Sequence, residues 1–441
     1  MNKCIIWITV LFSLSCINKN KHPRTITSEQ MYLIDTLNKT INEAIIQDGF
    51  SPPVASRIYA YCNLAAYEAF YFNSENKLKT ETFLNDYSPD FNQSVGGQFD
   101  PDLSMLVAFS DVALEMVYRD FIIKKYYQEG LDYYRNKLDE TTFNTSLFVG
   151  QAVAKYVLKY ASKDMYNEYR SYPLYEIIGK PWSWEPTPPI YGTAIEPHFG
   201  KLRPFVYKDI KTIEIKEVNK FDTIKGSDFY NMNLEVYEAG KNITKNQKEI
   251  AMHWDGDPMP PYRRLNHINI IKRQLNPIGH FLGIGRILSH KLKESKEQAV
   301  ENYMRISLAC ADAMIGCWDK KYKYNLIRPH TYINRYIDVS WDPLLITPLF
   351  PEYPSAHSCL AGAAVGVMIN LFSDTVSFVD NTGIDYGKPL RSFDKLSDAA
   401  KECALSRLYA GVHYKLAIYE GLSMGETVAN YHLNKAARLR P

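Results

Sequence analysis

Apolar residues recur at three- and four-residue spacing from Ser28 to Ile46 and again from Pro52 to Phe72, the period that lays one stripe along an α-helix. Pro52-Pro53 suits a helix start, where a missing backbone N–H leaves no bond unmade. The same period runs through about 102–127, 141–162, 227–240, 296–317, 356–372, 396–410 and 415–434, whereas alternating, strand-like runs are few and short. The pattern predicts a mostly α-helical bundle protein with long loops and little β-structure. One stretch breaks the period. Between Gly179 and Phe205 the chain reads PWSWEPTPPIYGTAIEPHFGKLRPF, too rich in proline for a helix and too long for a plain connector. It either covers a site or wraps the bundle surface. No repeat, low-complexity tract or clean linker divides the chain, so residues 27–441 read as one helical domain.

Composition narrows the picture in two ways. The 51 lysines and arginines nearly balance 49 acidic residues, and a formal charge of +2 offers neither a nucleic-acid footprint nor an acidic tail. Any anion site must be local. The 33 tyrosines and 20 phenylalanines point to aromatic packing between helices rather than disorder. At the start, Lys3 precedes an apolar run from Ile5 to Leu14, too short to span a bilayer, and then Ser15-Cys16. This resembles a bacterial lipoprotein processing site, with Ser13 where that pattern usually has an aliphatic residue. The expectation is a leader over residues 1–16, lipidation at Cys16, a tether over 17–26, and an exported protein of the cell envelope or periplasm that touches the membrane only through that lipid. Ordinary cleavage or an uncleaved anchor are the alternatives. Cys62, Cys310, Cys317, Cys359 and Cys403 form no CxxC pair and read as buried free thiols, not a disulfide framework or a zinc site.

The chemistry concentrates in the last third, in three segments. In Lys321-Tyr-Lys-Tyr-Asn-Leu-Ile-Arg328-Pro329, Pro329 disfavours helical geometry at Arg328, so two long cations are expected to converge from a loop. In Pro351-Glu-Tyr-Pro-Ser355-Ala356-His357-Ser, a proline-rich turn meets a helix start. Unpaired amides and the helix dipole make such a start an anion site, with Ser355 adding a hydroxyl and His357 just inside. In Ser406-Arg407-Leu-Tyr-Ala-Gly411-Val-His413, a continuous helix would put Arg407 and His413 on different faces. A left-handed Gly411 ends that helix and turns His413 back toward the arginine. Alone, each segment is as well explained by solvated charges, an N-cap and a core imidazole.

Together, Lys-x6-Arg-Pro, Pro-Ser-x-His and Ser-Arg-x3-Gly-x-His resemble the three signature motifs of the phosphatidic acid phosphatase type 2 and haloperoxidase superfamily. The chain looks like a vanadium-dependent haloperoxidase of the bacterial lipoprotein-like branch, most strongly over about 300–425, more loosely in SRIYAYCNLAAYEAF and the WEPTPP loop. The resemblance implies the helical-bundle fold of the vanadium haloperoxidase and acid phosphatase type. It implies that Lys321, Arg328 and Arg407 neutralise the oxygens of vanadate, with Ser355 and the Ala356 amide donating further bonds. His413 would be the axial ligand to vanadium and His357 the acid-base group, with Lys321 polarising peroxide so that halide attacks oxygen. Charge-assisted bonds of about 1.5–3 kcal/mol each suffice to hold such an oxyanion stripped of water. The implied partners are hydrogen peroxide, halide and a small organic acceptor. Trp318 and Phe350 match aromatics of the halide pocket in chloride-oxidising members, and also read as core aromatics. Asp255, in His-Trp-Asp-Gly-Asp-Pro, is similar to the aspartate that bonds the acid-base histidine; a solvated Asp-Gly turn is the plainer reading.

Two positions depart from the motifs. Ala356 replaces the usual glycine, a problem if that residue needs positive φ and none if it is helical. Ala417 stands where many members have aspartate, with Glu420 as a candidate replacement. The same residues also serve a phosphatase with no cofactor, in which His413 attacks a substrate phosphate, or a silent envelope lipoprotein that keeps only the scaffold.

Overall fold

Helix boundaries follow the apolar stripes closely in the computed structural model, which describes residues 32–75, 77–89, 97–256 and 274–439; the expected leader, its tether and Cys16 lie outside them. Among the described residues are α1 (Leu33–Asp48), α2 (Pro52–Phe70), α3 (Thr80–Phe83), α4 (Pro101–Met116), α5 (Phe121–Lys137), α6 (Glu140–Ala161), α7 (Tyr166–Tyr169) and α8 (Asp228–Lys241). Then come α9 (Lys245–His253), α10 (Pro277–Lys291), α11 (Lys296–Tyr324), α12 (Pro329–Tyr336), α13 (Ala356–Phe372), α14 (Leu396–Tyr409) and α15 (Lys415–Ala437). Among the described residues the strands form one antiparallel pair, β1 (Phe378–Asp380) against β2 (Arg391–Phe393), with Val379 opposite Ser392. The mostly α architecture expected from the period is what the chain adopts.

Where stripes and helices differ, capping explains it. The 102–127 run divides into α4 and α5 because the carboxylate of Asp48 binds the backbone amides of Tyr118 (2.8 Å) and Arg119 (3.2 Å), holding the break open. Helix α11 continues past 317 to Tyr324 and stops where Asn325 turns left-handed at φ 47°, ψ 41°. The glycine-broken pattern of α10 hid a helix that Asn276 caps through its side chain.

Helices α2, α4 and α6 pack as one bundle and α11, α13, α14 and α15 as a second, with α11 touching both α2 and α13. One continuous apolar core runs through both. Helix α13 is apolar almost all round, AHSCLAGAAVGVMINLF, which calls for burial on every side. It crosses α15 so closely that a methyl group on Gly425 would sit 2.2 Å from the Cys359 carbonyl oxygen. Only glycine permits that approach, and it sets where the N-terminus of α13 lies relative to the start of α15.

The proline-rich stretch packs on the segment that follows α11. Trp184 N–H donates to the Asn325 carbonyl (2.8 Å), and Ile327 N–H to the Trp182 carbonyl (2.9 Å). Its far end is tied to α11 by Asp312, fully buried, whose carboxylate accepts from the amides of Phe205 (2.6 Å), Val206 (2.9 Å) and Tyr207 (2.9 Å) and meets His432 Nε2 at 2.9 Å. Asp312→Ala strands the buried amides of Phe205 and Val206 and the part-buried amide of Tyr207, and is expected to cost about 3 kcal/mol or more in a urea unfolding curve; an unmoved midpoint would show that the anchor contributes nothing.

Candidate active site

The turn that leads into α13 is held from below by α11. Lys321, fully buried in the last turn of α11, donates to the carbonyls of Pro351 (3.0 Å), Glu352 (3.1 Å) and Pro354 (2.5 Å). Those three bonds use all three ammonium protons. The sequence placed Lys321 in a loop, whereas it lies in the last turn of α11. Lys321 brings a positive charge to the site while its hydrogen bonds brace the turn. Burial, with Arg328 beside it, pushes its pKa down to about 8 against the opposing pull of Cys317.

Arg328, also fully buried, is the N-cap of α12, extended at φ −80°, ψ 149° as the following proline requires. Its Nε donates to the Phe350 carbonyl (2.9 Å) and its Nη1 to that of Val412 (2.8 Å), with His413 Nε2 3.4 Å from the same Nη1. Gly411 adopts φ +78° just beyond the end of α14, which lets the chain reverse and bring His413 to Arg328. Arg407, 1% exposed in the last turn of α14, acts electrostatically on both His413 and His357.

His413 is oriented by a residue that the motifs did not single out. Its Nδ1 lies 2.8 Å from Glu352 Oε1, which also accepts from the Tyr414 amide at 2.8 Å. Oε1 accepts from the Tyr414 amide whether or not Oε2 holds a proton, so it is an acceptor toward His413 as well; Nδ1 carries the proton and Nε2 presents its lone pair toward Arg328. Glu352 is fully buried, and burial pushes its carboxyl up to about 7 although Arg328 and Lys321 pull it down. Its one signal in the sequence was an acidic residue inside the proline turn PEYP. Glu420, the candidate replacement for an aspartate at position 417, instead accepts from the Lys216 amide (2.9 Å).

Ser355 caps α13, its hydroxyl oxygen facing the Ser358 amide (3.4 Å) and hydroxyl (3.0 Å), and its own amide donating to the Ala417 carbonyl (3.0 Å). Ala356 is the first helical residue and does not adopt positive φ, so its methyl group is tolerated where glycine is usual. His357 Nε2 is buried without a hydrogen-bond partner. Burial and then Arg407 push the His357 pKa well below its ordinary value, and burial with Arg328 does the same for His413. Both imidazoles are therefore neutral at neutral pH.

Asp255 does not hold His357 Nε2. Its carboxylate accepts from Gln274 Nε2 at 2.7 Å, and its carbonyl accepts from Lys388. Trp318 and Phe350 do meet, ring centroids 5.0 Å apart, with Lys321 Nζ 4.9 Å and Arg328 Cζ 5.0 Å from the Phe350 ring centre. The two aromatics, with Ile195, Pro348, Ala356, His357 and other residues, line a cavity of about 60 Å³, room for a water or two.

Cys62, Cys310, Cys317, Cys359 and Cys403, the cysteines among the described residues, are all buried and free, as the spacing suggested.

A helix N-terminus, three buried cations and two neutral histidines, one with its far nitrogen locked by a carboxylate, define an oxyanion-binding enzyme of the all-α class. The family model described as VCPO second helical-bundle domain matches residues 301–440. The structure of the first bacterial vanadium-dependent iodoperoxidase is 34% identical with TM-score 0.84, over 91% of this chain and 96% of that one. The chain belongs to the vanadium-dependent haloperoxidases. A bacterial vanadium-dependent chloroperoxidase shares the fold in its holo form at 16% identity, TM-score 0.66, over 89% of this chain and 95% of that chain. Its apo form does so at 14% identity, TM-score 0.64, over 88% and 94%. No curated protein matches.

Proposed function

We propose that this chain is a vanadate-dependent haloperoxidase that oxidises halide, iodide foremost, with hydrogen peroxide, and that the residues above carry the reaction. The observation that carries this reading is His413: Nδ1 is fixed on Glu352 and Nε2 is presented as a neutral lone pair beside Arg328, the state a ligand to an oxyanion's central atom requires. The site also fits the anion by its donors. Arg328, Arg407, the Ser355 hydroxyl and the first amides of α13 offer paired and single N–H and O–H groups around that nitrogen, and the unpartnered His357 Nε2 faces the same field. When bound, vanadate supplies a Lewis-acidic centre that activates peroxide toward halide without changing oxidation state.

The protein's own part is positioning and proton movement. His357, neutral and half-buried beside the cavity, takes a proton from incoming peroxide and returns it to the departing oxygen. Lys321 stiffens the turn and adds positive potential that favours negative charge developing on oxygen. The cavity wall of Trp318 and Phe350 offers halide a polarisable surface with cations close behind one ring. The indole N–H is not free for halide, since it donates to the Ile195 carbonyl at 3.2 Å. The preference for iodide is supported by the iodoperoxidase at 34% identity.

The test is to reconstitute the purified chain with vanadate and compare peroxide-dependent oxidation of iodide, bromide and chloride with hydrolysis of a phosphate monoester. Iodide oxidation that requires vanadate is expected; ester hydrolysis alone would replace this reading with a phosphatase acting through His413.

A pH dependence follows from Lys321. With its pKa at about 8 before the anion binds, the lysine is charged below that pH and neutral above it. Vanadate affinity is expected to fall as pH rises from 7 to 9, and this lysine-dependent part to vanish in Lys321→Met, read by equilibrium dialysis. A decline of the same size in Lys321→Met would assign it to the anion's own titration.

A further inference from the structure

A second polar cluster lies beside the site, built from residues that the oxyanion pocket does not use. His253 ends α9, His280 lies in the first turn of α10, and Asp380 ends β1. His253 and Asp380 are fully buried and His280 is 3% exposed. Their ligand-capable atoms, one from each residue, all fall within 4.8 Å of one another. Two imidazole nitrogens converge on one oxygen: His253 Nε2 is 3.0 Å and His280 Nε2 2.6 Å from Asp380 Oδ2.

The surroundings fix what each atom can do. His253 Nδ1 lies 3.1 Å from the Pro389 carbonyl oxygen, an acceptor only, so that nitrogen carries a proton. In a neutral ring Nε2 then holds a lone pair, which faces a carboxylate oxygen. Two lone pairs at that distance repel unless a cation lies between them. The other carboxylate oxygen, Oδ1, is already occupied by the Thr382 amide (3.0 Å) and hydroxyl (2.7 Å), which points Oδ2 at the two rings. Trp254 stacks on His280 at 4.6 Å and fixes that ring. His253 and Asp380 therefore each have a hydrogen-bonded outer partner, as first-row metal ligands do, and the His280 ring is held by stacking.

We propose that His253, His280 and Asp380 form a site for a divalent first-row transition ion, zinc by its nitrogen-rich, three-ligand donor set. Ligands at about 2.0–2.2 Å from a tetrahedral ion stand about 3.3 Å apart. The separations of 3.0 and 2.6 Å from Asp380 Oδ2 need an opening of less than an ångström, and the two imidazole nitrogens, within 4.8 Å of each other, settle to the same spacing around the ion. Three protein ligands leave the fourth position to water. The ion joins the end of α9, the start of α10 and β1, elements with no backbone hydrogen bonds in common, and pins them next to α13, since His280 bears electrostatically on His357. This site is independent of the haloperoxidase reading.

The experiment uses full-length protein already saturated with vanadate, stripped of other metals and titrated with Co²⁺ and then Zn²⁺. One Co²⁺ per chain with visible absorption of a tetrahedral N/O site is expected, displaced by one equivalent of Zn²⁺. Asp380→Asn and His280→Gln are each expected to weaken binding at least 100-fold, whereas His413→Ala, titrated without vanadate, binds Co²⁺ as the wild type does. Should either variant misfold, the wild-type titration still decides: no stoichiometric binding means that the cluster is a hydrogen-bonded imidazolium–carboxylate group and overturns the proposal. So does binding that both folded variants retain, or that His413→Ala abolishes.

Discussion

Replacing His413 by alanine is expected to abolish stoichiometric vanadate binding, lowering affinity on the order of a thousandfold or more, about 4 kcal/mol, and with it halide oxidation. The expectation rests on one nitrogen. Nε2 is the lone-pair donor that the site aims inward, and Arg328 lies 3.4 Å away, too far for a strong bond. The alanine variant leaves Arg328 its bonds to Phe350 and Val412, so the cationic cradle stays standing and a weak, unliganded oxyanion site remains. Equilibrium dialysis or ⁵¹V NMR separates the two cases: residual weak binding that phosphate displaces fits the account, and undiminished affinity contradicts the assignment of His413 as ligand. Circular dichroism confirms that the helices are intact.

The second large effect is expected at Glu352, which reaches the anion only through His413. Glu352→Ala removes the acceptor from His413 Nδ1 and from the Tyr414 amide together. Outer partners of this kind are worth about 10–100-fold in affinity, and the ring is then free to present either nitrogen. Glu352→Gln keeps an amide oxygen that accepts from Nδ1–H while removing the charge. It should recover most of the vanadate affinity that alanine loses. A purely structural role predicts no such rescue, and equal loss in both variants with unchanged melting temperatures would show that the charge, not the orientation, is what matters.

These two residues also mark how far the sequence can be read. His413, Arg407 and Gly411 sit within one short motif, and the positive φ of Gly411 that reverses the chain is a local property of that residue. Ser355 and His357 at a helix start were legible for the same reason. Lys321 was displaced into a loop because the apolar stripe fades after Cys317, where the polar run DKKYKY still forms helix until Asn325 caps it. Glu352 was present in the quoted turn, yet its partner lies 61 residues away and nothing in the spacing joins them. Asp255 failed in the opposite sense. Its motif pointed to His357, while in the fold Gln274, 19 residues on, takes the carboxylate, and the neighbouring His253 turns to Asp380 across 127 residues. Local backbone conformation is written in the chain; pairing between distant buried polar groups is settled by packing. The same limit kept the partners of the 179–205 stretch, Asn325 and Asp312, out of reach of the sequence.

The pocket's chemistry depends on three remote segments closing on one anion. A crystal structure of the chain grown with orthovanadate tests this most directly. One vanadate is predicted within bonding distance of His413 Nε2, with Arg328, Arg407 and the Ser355 hydroxyl on its oxygens and Glu352 still on Nδ1. Vanadate bound elsewhere, or held by the arginines with His413 turned away, would contradict it.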